Sequence, residues 1–146
     1  MTTLAEARDA VALVINTAWL AASVSSSIPM HWDDVKADKP GEDAITSRAP
    51  SYAKTTVRTI GSPQTTQGRR RFETTGTVTV QIFTPFGDGN TLGDALAQVI
   101  LNALRSHVGS PAGLSFFDID PNEIGETGPW FQTNVVASIR YQELAP

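Results

Sequence analysis

The chain has 146 residues, 40% hydrophobic and 18% charged, with 11 basic and 15 acidic side chains and a net charge of −4. A chain of this length buries roughly 68–70% of its unfolded surface and folds around one core, so residues 1–146 read as a single domain. With no cysteine and only His31 and His107 as imidazoles, the composition excludes a disulfide scaffold, a thiolate metal site and a cysteine nucleophile. The mild net charge excludes a strong overall attraction to nucleic acid or to an anionic membrane.

No run approaches the about 20 apolar residues that span a bilayer. The opening MTTLAEARDA carries acids and lacks the basic start of a signal peptide. The expectation is a soluble protein of the cytoplasm, or of a particle assembled there.

Residues 3–22 carry Leu4, Ala7, Val11, Val14, Ile15, Ala18 and Ala22 at spacings of three and four, which predicts an amphipathic helix. Thr3 and Glu6 form a capping box, and the run Ser23–Ser27 ends the helix. Ile28, Met30 and Trp32 alternate into a short strand. Residues 33–50 are polar, rich in turn formers and aperiodic, which predicts a long loop.

Two β segments follow, with 17 threonines in the chain favouring strands. Residues 51–60 are β-prone. In residues 72–84, Phe72, Val78, Val80 and Ile82 share one side, and Glu73, Thr75, Thr77, Thr79 and Gln81 the other. With Gly61–Arg71 between them, they predict a long hairpin whose arm projects from the body. Thr91-x-x-Asp94 opens a second helix, with an apolar stripe of Leu92, Ala95, Leu96, Val99, Ile100, Ala103 and Leu104, ended by Gly109 and Pro111. A second hairpin closes the chain. Its strands are Leu114–Ile119 and residues 131–142, and DPNEIGETGPW between them reads as an acidic loop. The sum is an α+β fold: a mostly antiparallel sheet with two helices packed on one face and a polar opposite face.

Few motifs carry chemistry. His31, Asp33 and Asp34 are close enough in sequence to hold a divalent ion, but no second ligand cluster accompanies them, and a strand end entering an acidic loop accounts for them. Asp118-x-Asp120-x-Asn122 starts like a calcium loop, then places Glu123 where glycine is needed and Pro129 where a bidentate glutamate is needed. Gly87-Asp88-Gly89 precedes a helix, yet Asp88 and Asp94 would repel a phosphate. There is no GxxxxGK[ST], GxGxxG or GxSxG. His107 suits the negative end of the second helix. No catalytic, metal or cofactor residue is therefore assigned, and the chain reads as a non-enzyme.

Charge segregation is the informative feature. Residues 51–72 hold Lys54, Arg58, Arg69, Arg70 and Arg71 and no acid. Residues 114–130 hold Asp118, Asp120, Glu123 and Glu126 and no base. Four explanations stand: pairing within the chain, a head-to-tail contact between copies, contact of Arg69–Arg71 with a nucleic-acid backbone, or solvated arginines on a loop tip. The run lacks interleaved aromatics, which argues against base stacking. Trp130 and Phe131 beside the acidic stretch are candidate interface anchors or core residues.

The stretches HWDDVKADKPGEDA, TVRTIGSPQTTQGRRRFETTGTVTVQIFTPFGDG, TLGDALAQVILNAL and NEIGETGPWFQTNVVASIRYQE together resemble tail terminator-like proteins of long-tailed bacteriophages and prophages. The resemblance spans nearly the whole chain and rests on segment order and on phrases such as GPWFQ. It implies a structural virion protein that forms a ring, usually of six copies, at the head-proximal end of the tail. Such a ring stops polymerisation of the tail tube protein and meets a head completion protein, and double-stranded DNA passes through its hole. Arg69, Arg70, Arg71, Asp118, Asp120, Glu123, Glu126, Trp130 and Phe131 are then the candidate contact residues. The alternatives are another head–tail joining or tail completion protein, or a small ligand-binding domain or enzyme using His31, Asp33 and Asp34.

Overall fold

The structure, a computed structural model, describes residues 4–32, 51–61, 71–85, 91–107 and 114–144. In chain order the elements are α1 (Leu4–Ala21), β1 (Met30–Trp32), β2 (Tyr52–Gly61), β3 (Arg71–Pro85), α2 (Thr91–Ser106), β4 (Ser115–Thr127) and β5 (Trp130–Leu144). The five strands form one sheet in the order β1-β2-β3-β5-β4. Only β1 and β2 are parallel; the other three pairs are antiparallel. This is the α+β, mostly antiparallel architecture expected from the sequence.

The period-2 pattern decides the faces. Thr74, Gly76, Val78, Val80 and Ile82 of β3 are buried, whereas Glu73, Thr75, Thr77, Thr79 and Gln81 are half-buried on the opposite side. Register carries the same parity across the sheet: Val78 pairs with Val57 on one side and Ala137 on the other, and Val80 with Thr55 and Val135. Val57, Val78, Val80, Ile82, Val135 and Ala137 form one buried cluster with Val11, Ile15 and Trp19 of α1 and with Leu96, Ala97, Ile100, Leu101 and Leu104 of α2. A smaller cluster joins Ala7, Leu114 and Tyr141.

The helices bury faces that differ in detail from the expected stripes. In α1 the buried residues are Ala7, Val11, Ile15 and Trp19, while Leu4 is exposed. Trp19 matters most. Its Nε1–H donates to the Ile28 carbonyl at 2.8 Å, and Ser25 Oγ donates to the Trp19 carbonyl at 2.6 Å. The indole thus ties the end of the helix to the chain entering β1. In α2, Gly93, Ala97 and Leu101 are buried beside Leu96, Ile100 and Leu104. The Gly93 Cα faces Thr133 and Thr84, and a Cβ there would meet their hydroxyls at ordinary contact distance, 3.5 and 3.8 Å.

One expected loop is a strand. DPNEIGETGPW continues β4 to Thr127, and a two-residue turn, Gly128-Pro129, leads into β5. Gly128 has φ 58°, at the first central position where tight hairpin turns of the II′ class require glycine. Acids, Pro121 and glycine are tolerated because, among the described residues, β4 lies at the edge of the sheet and pairs with β5 alone. The loop expected over 33–50, the arm tip with Arg69 and Arg70, Thr3 of the capping box, Gly87–Gly89, Gly109 and Pro111 lie outside the described residues.

Candidate functional site

The charged candidates within the described residues stand on β4 and β2, with the sheet face opposite the buried cluster between them. β4 forms one side. Asp118, Asp120, Glu123, Ile124 and Glu126 are all exposed along it. Its pairing with β5 shifts register between Phe117 and Asp120 and again between Glu123 and Gly125. Asp118 sits in the first irregularity with φ 50°, a left-handed conformation that aspartate tolerates better than most residues. Gly125 occupies the second with φ 100°. Arg105, in the last turn of α2, donates from Nη2 to the Ile119 carbonyl at 3.3 Å.

The basic residues lie on β2, one strand in from the opposite edge, which among the described residues is β1. Lys54 and Arg58 project from β2, exposed and on the same face. β3 and β5 separate β2 from β4. That separation is about 14 Å of sheet, three strand spacings. Lys54 and Arg58 therefore do not lie beside the acids of β4 in the same molecule. Register places them at matching heights. One row runs Lys54, Gln81, Asn134, Asn122; the next Thr56, Thr79, Val136, Asp120; the third Arg58, Thr77, Ser138, Phe117. Asp120 thus stands at a height between Lys54 and Arg58. Arg71 begins β3 opposite Leu144.

Between these sides the face is polar, with Thr75, Thr77, Thr79, Gln81, Asn134 and Ser138 half-buried. Gln132 Nε2 donates to Asn134 Oδ1 at 2.9 Å. The Arg140 guanidinium lies over the Phe117 ring at 5.5 Å from its centroid, a cation–π contact linking β5 to β4.

One end of this face is aromatic. Tyr52 stacks on Phe83 at 4.5 Å, Trp130 meets Tyr52 edge-on at 5.4 Å and Phe83 at 6.1 Å, and His31 meets Tyr52 at 5.7 Å. Burial among these rings raises the Tyr52 phenol above its ordinary value of 10.0. Trp130 belongs to this cluster, opposite Pro85, whereas Phe131 pairs with Thr84 and points to the other face. The adjacent aromatics that the sequence offered as a joint anchor are split between the two faces of the sheet.

The remaining candidates do not come together as a site. His31 packs on Tyr52 with its Nε2 buried and no hydrogen-bond partner among the described residues, and Asp33 and Asp34 lie outside them. His107 Nε2 is likewise buried without a partner, its ring against Phe116 at 5.3 Å. Among the described residues no three His, Asp or Glu side chains are grouped to hold a metal. Asp118, Asp120 and Asn122 run along an extended strand instead of converging in a calcium loop. No described helix is long and apolar enough to cross a membrane.

Sequence reasoning missed Tyr52, Phe83 and the Arg140–Phe117 pair. The available signal was parity, since Tyr52 and Phe83 fall on the side of their strands opposite the aliphatic series.

No protein-family model and no curated protein matches the sequence. The fold has solved counterparts. One superposes with a TM-score of 0.67 at 15% identity, covering 100% of this chain and 99% of the other. At that identity the likeness concerns the fold alone.

Proposed function

We propose that the chain is a structural subunit that associates with copies of itself in a closed ring, acting as a tail terminator at the head-proximal end of a long-tailed phage tail. One observation carries the reading: acids line the β4 edge, and bases stand on β2, one strand in from the far edge of the same sheet. A subunit with complementary opposite sides makes a head-to-tail contact, which closes into a ring when the rotation per copy allows. The sequence resemblance supplies the rest of the reading: a ring of six, tube protein on one surface, a head completion protein on the other, and DNA through the hole without sequence-specific contacts. In this reading the protein works in the virion after assembly in the host cytoplasm, and it is not an enzyme.

The test is mass in solution, alone and with tube protein. Native mass spectrometry at low salt is expected to give one closed oligomer that halts growth of tube polymers. Binding to a head completion protein with no effect on tubes would assign a different joining role. A monomer at every concentration that turns over a small molecule would end the proposal.

A further inference from the structure

We infer that the Met30 thioether is a modification site: a hydroperoxide oxidises it to the sulfoxide, and the added oxygen undocks β1 from β2. Nothing in this depends on self-association.

The sulfur sits at a seam. The chain has no cysteine, so Met30 carries the only sulfur among the described residues. Its side chain is half-buried and packs, with Val24, Ile28 and Trp32, against the main apolar cluster. The Thr55 hydroxyl donates to Met30 Sδ at 3.2 Å. Thr55 is fully buried, and this is the one hydrogen bond of its hydroxyl among the described residues. A thioether is a weak acceptor, and a methionine that only fills a gap needs no hydroxyl aimed at its sulfur. The two sides of the seam differ in strength. β1 pairs with β2 over Met30, His31 and Trp32 alone, whereas β2 is held by β3 from Tyr52 to Gly61, with Thr55 opposite the buried Val80.

In the oxidation a sulfur lone pair attacks the outer oxygen of the hydroperoxide. An S–O bond forms and the O–O bond breaks. The departing oxygen takes the proton of the transferred hydroxyl and leaves as water or an alcohol; sulfur is oxidised and the peroxide reduced. The product does not fit the seam. An oxygen between sulfur and hydroxyl needs an O–H···O contact of about 2.7 Å in addition to the S–O bond. Only 3.2 Å now separates Sδ from Thr55 Oγ1. An oxygen on the sulfur's other side is a polar atom brought to an apolar cluster, without the Thr55 hydroxyl as its donor. Thr55 is fixed in the body of the sheet, so β1 yields in both cases.

The experiment treats the full chain with hydrogen peroxide and locates the added oxygen by peptide mass mapping. Amide exchange is then read over Met30–Trp32 and at Ala53, whose N–H donates to the Pro29 carbonyl at 2.9 Å. Exchange there is expected to be roughly tenfold faster or more after oxidation, with the β3–β5 ladder unchanged. A methionine sulfoxide reductase is expected to restore slow exchange. Met30→Leu keeps the volume without the sulfur, and its exchange is expected to be the same with and without peroxide, which separates Met30 from Met1. Circular dichroism checks that this variant folds, and the wild-type comparison with and without reductase needs no variant. A Met30 that stays unoxidised in the folded chain, under conditions that oxidise the unfolded chain, overturns the inference. So does a sulfoxide at Met30 that leaves Ala53 exchange unchanged, or faster exchange in peroxide-treated Met30→Leu.

Discussion

The Tyr52 ring lies flat on Phe83, their centroids 4.5 Å apart and their planes 13° from parallel. The two residues face each other across β2 and β3, on the side of the sheet away from the aliphatic cluster. Phe83 is only 8% exposed there, covered by Tyr52 and by the edge of Trp130. Phe83→Ala removes the centre of this stack. It is expected to lower the unfolding free energy by about 3–5 kcal/mol, the usual range for a buried phenylalanine, measured by urea denaturation. A loss below about 1 kcal/mol would show that the rings contribute little to the fold.

The raised Tyr52 phenol has a signed consequence for pH. Its folded pKa lies above 10.0 because burial disfavours the phenolate. Its contribution is fully present below pH 10 and is lost as pH rises through the folded value, since the unfolded chain ionises first. Unfolding free energy measured across the alkaline range is expected to fall above pH 10 more steeply in the wild type than in Tyr52→Phe. Parallel curves for the two proteins would refute the assignment.

Gly76 marks a close crossing. A Cβ there would collide with the Arg58 carbonyl oxygen and lie 3.2 Å from the Ile139 side chain, next to the register shift between Thr59 and Gly61. Gly76→Ala is expected to destabilise by about 1–3 kcal/mol through overpacking, seen as a lower melting temperature. An unchanged or higher melting temperature would mean that the β2–β3 arm straightens at no cost.

Trp19 joins the end of α1 to the chain entering β1 by one hydrogen bond. Trp19→Phe keeps much of the apolar volume but leaves the Ile28 carbonyl without its 2.8 Å donor. The expected cost is about 1–3 kcal/mol. Ser25→Ala, which strips the hydroxyl donor from the buried Trp19 carbonyl, is expected to cost a similar amount. Native-state hydrogen exchange around Met30–Trp32 checks whether either loss loosens β1.

Arg69, Arg70 and Arg71 belong to the same basic segment as Lys54 and Arg58. Reversing all three to Glu is expected to leave the circular dichroism spectrum intact and to weaken assembly at low salt. Normal assembly of that variant would remove the triplet from the contact between copies.

Alternation made the central strands legible: Val78, Val80 and Ile82, then Val135, Ala137 and Ile139, announce their buried side by period alone. The helices were legible as elements and less so as surfaces. Trp19 and Leu101 were absent from the expected stripes, and only packing against the sheet selects which rows of a helix are buried. The second half of β4 was misread because Asp120, Pro121, Glu123 and Gly125 are turn formers in isolation. At the rim of a sheet, hydrogen bonds to one neighbour suffice, and local propensity yields to that pairing. Of the candidate site, the charge segregation was legible, but its meaning depended on strand order. The aromatic cluster was not, because its members come from four strands far apart in sequence.

The sheet is built around β3 and β5, whose ladder runs from Pro85–Trp130 to Arg71–Leu144 with all of α2 and β4 in the intervening chain. The innermost ladder is therefore the most distant closure in sequence, and its entropic cost falls on one late event. During synthesis the first residue of β3 must wait for Leu144 to leave the ribosome. Until then the flank of β3 that β5 covers in the native sheet has no strand to pair with, and an open flank of that kind is open to capture by a chaperone or by another unfinished chain.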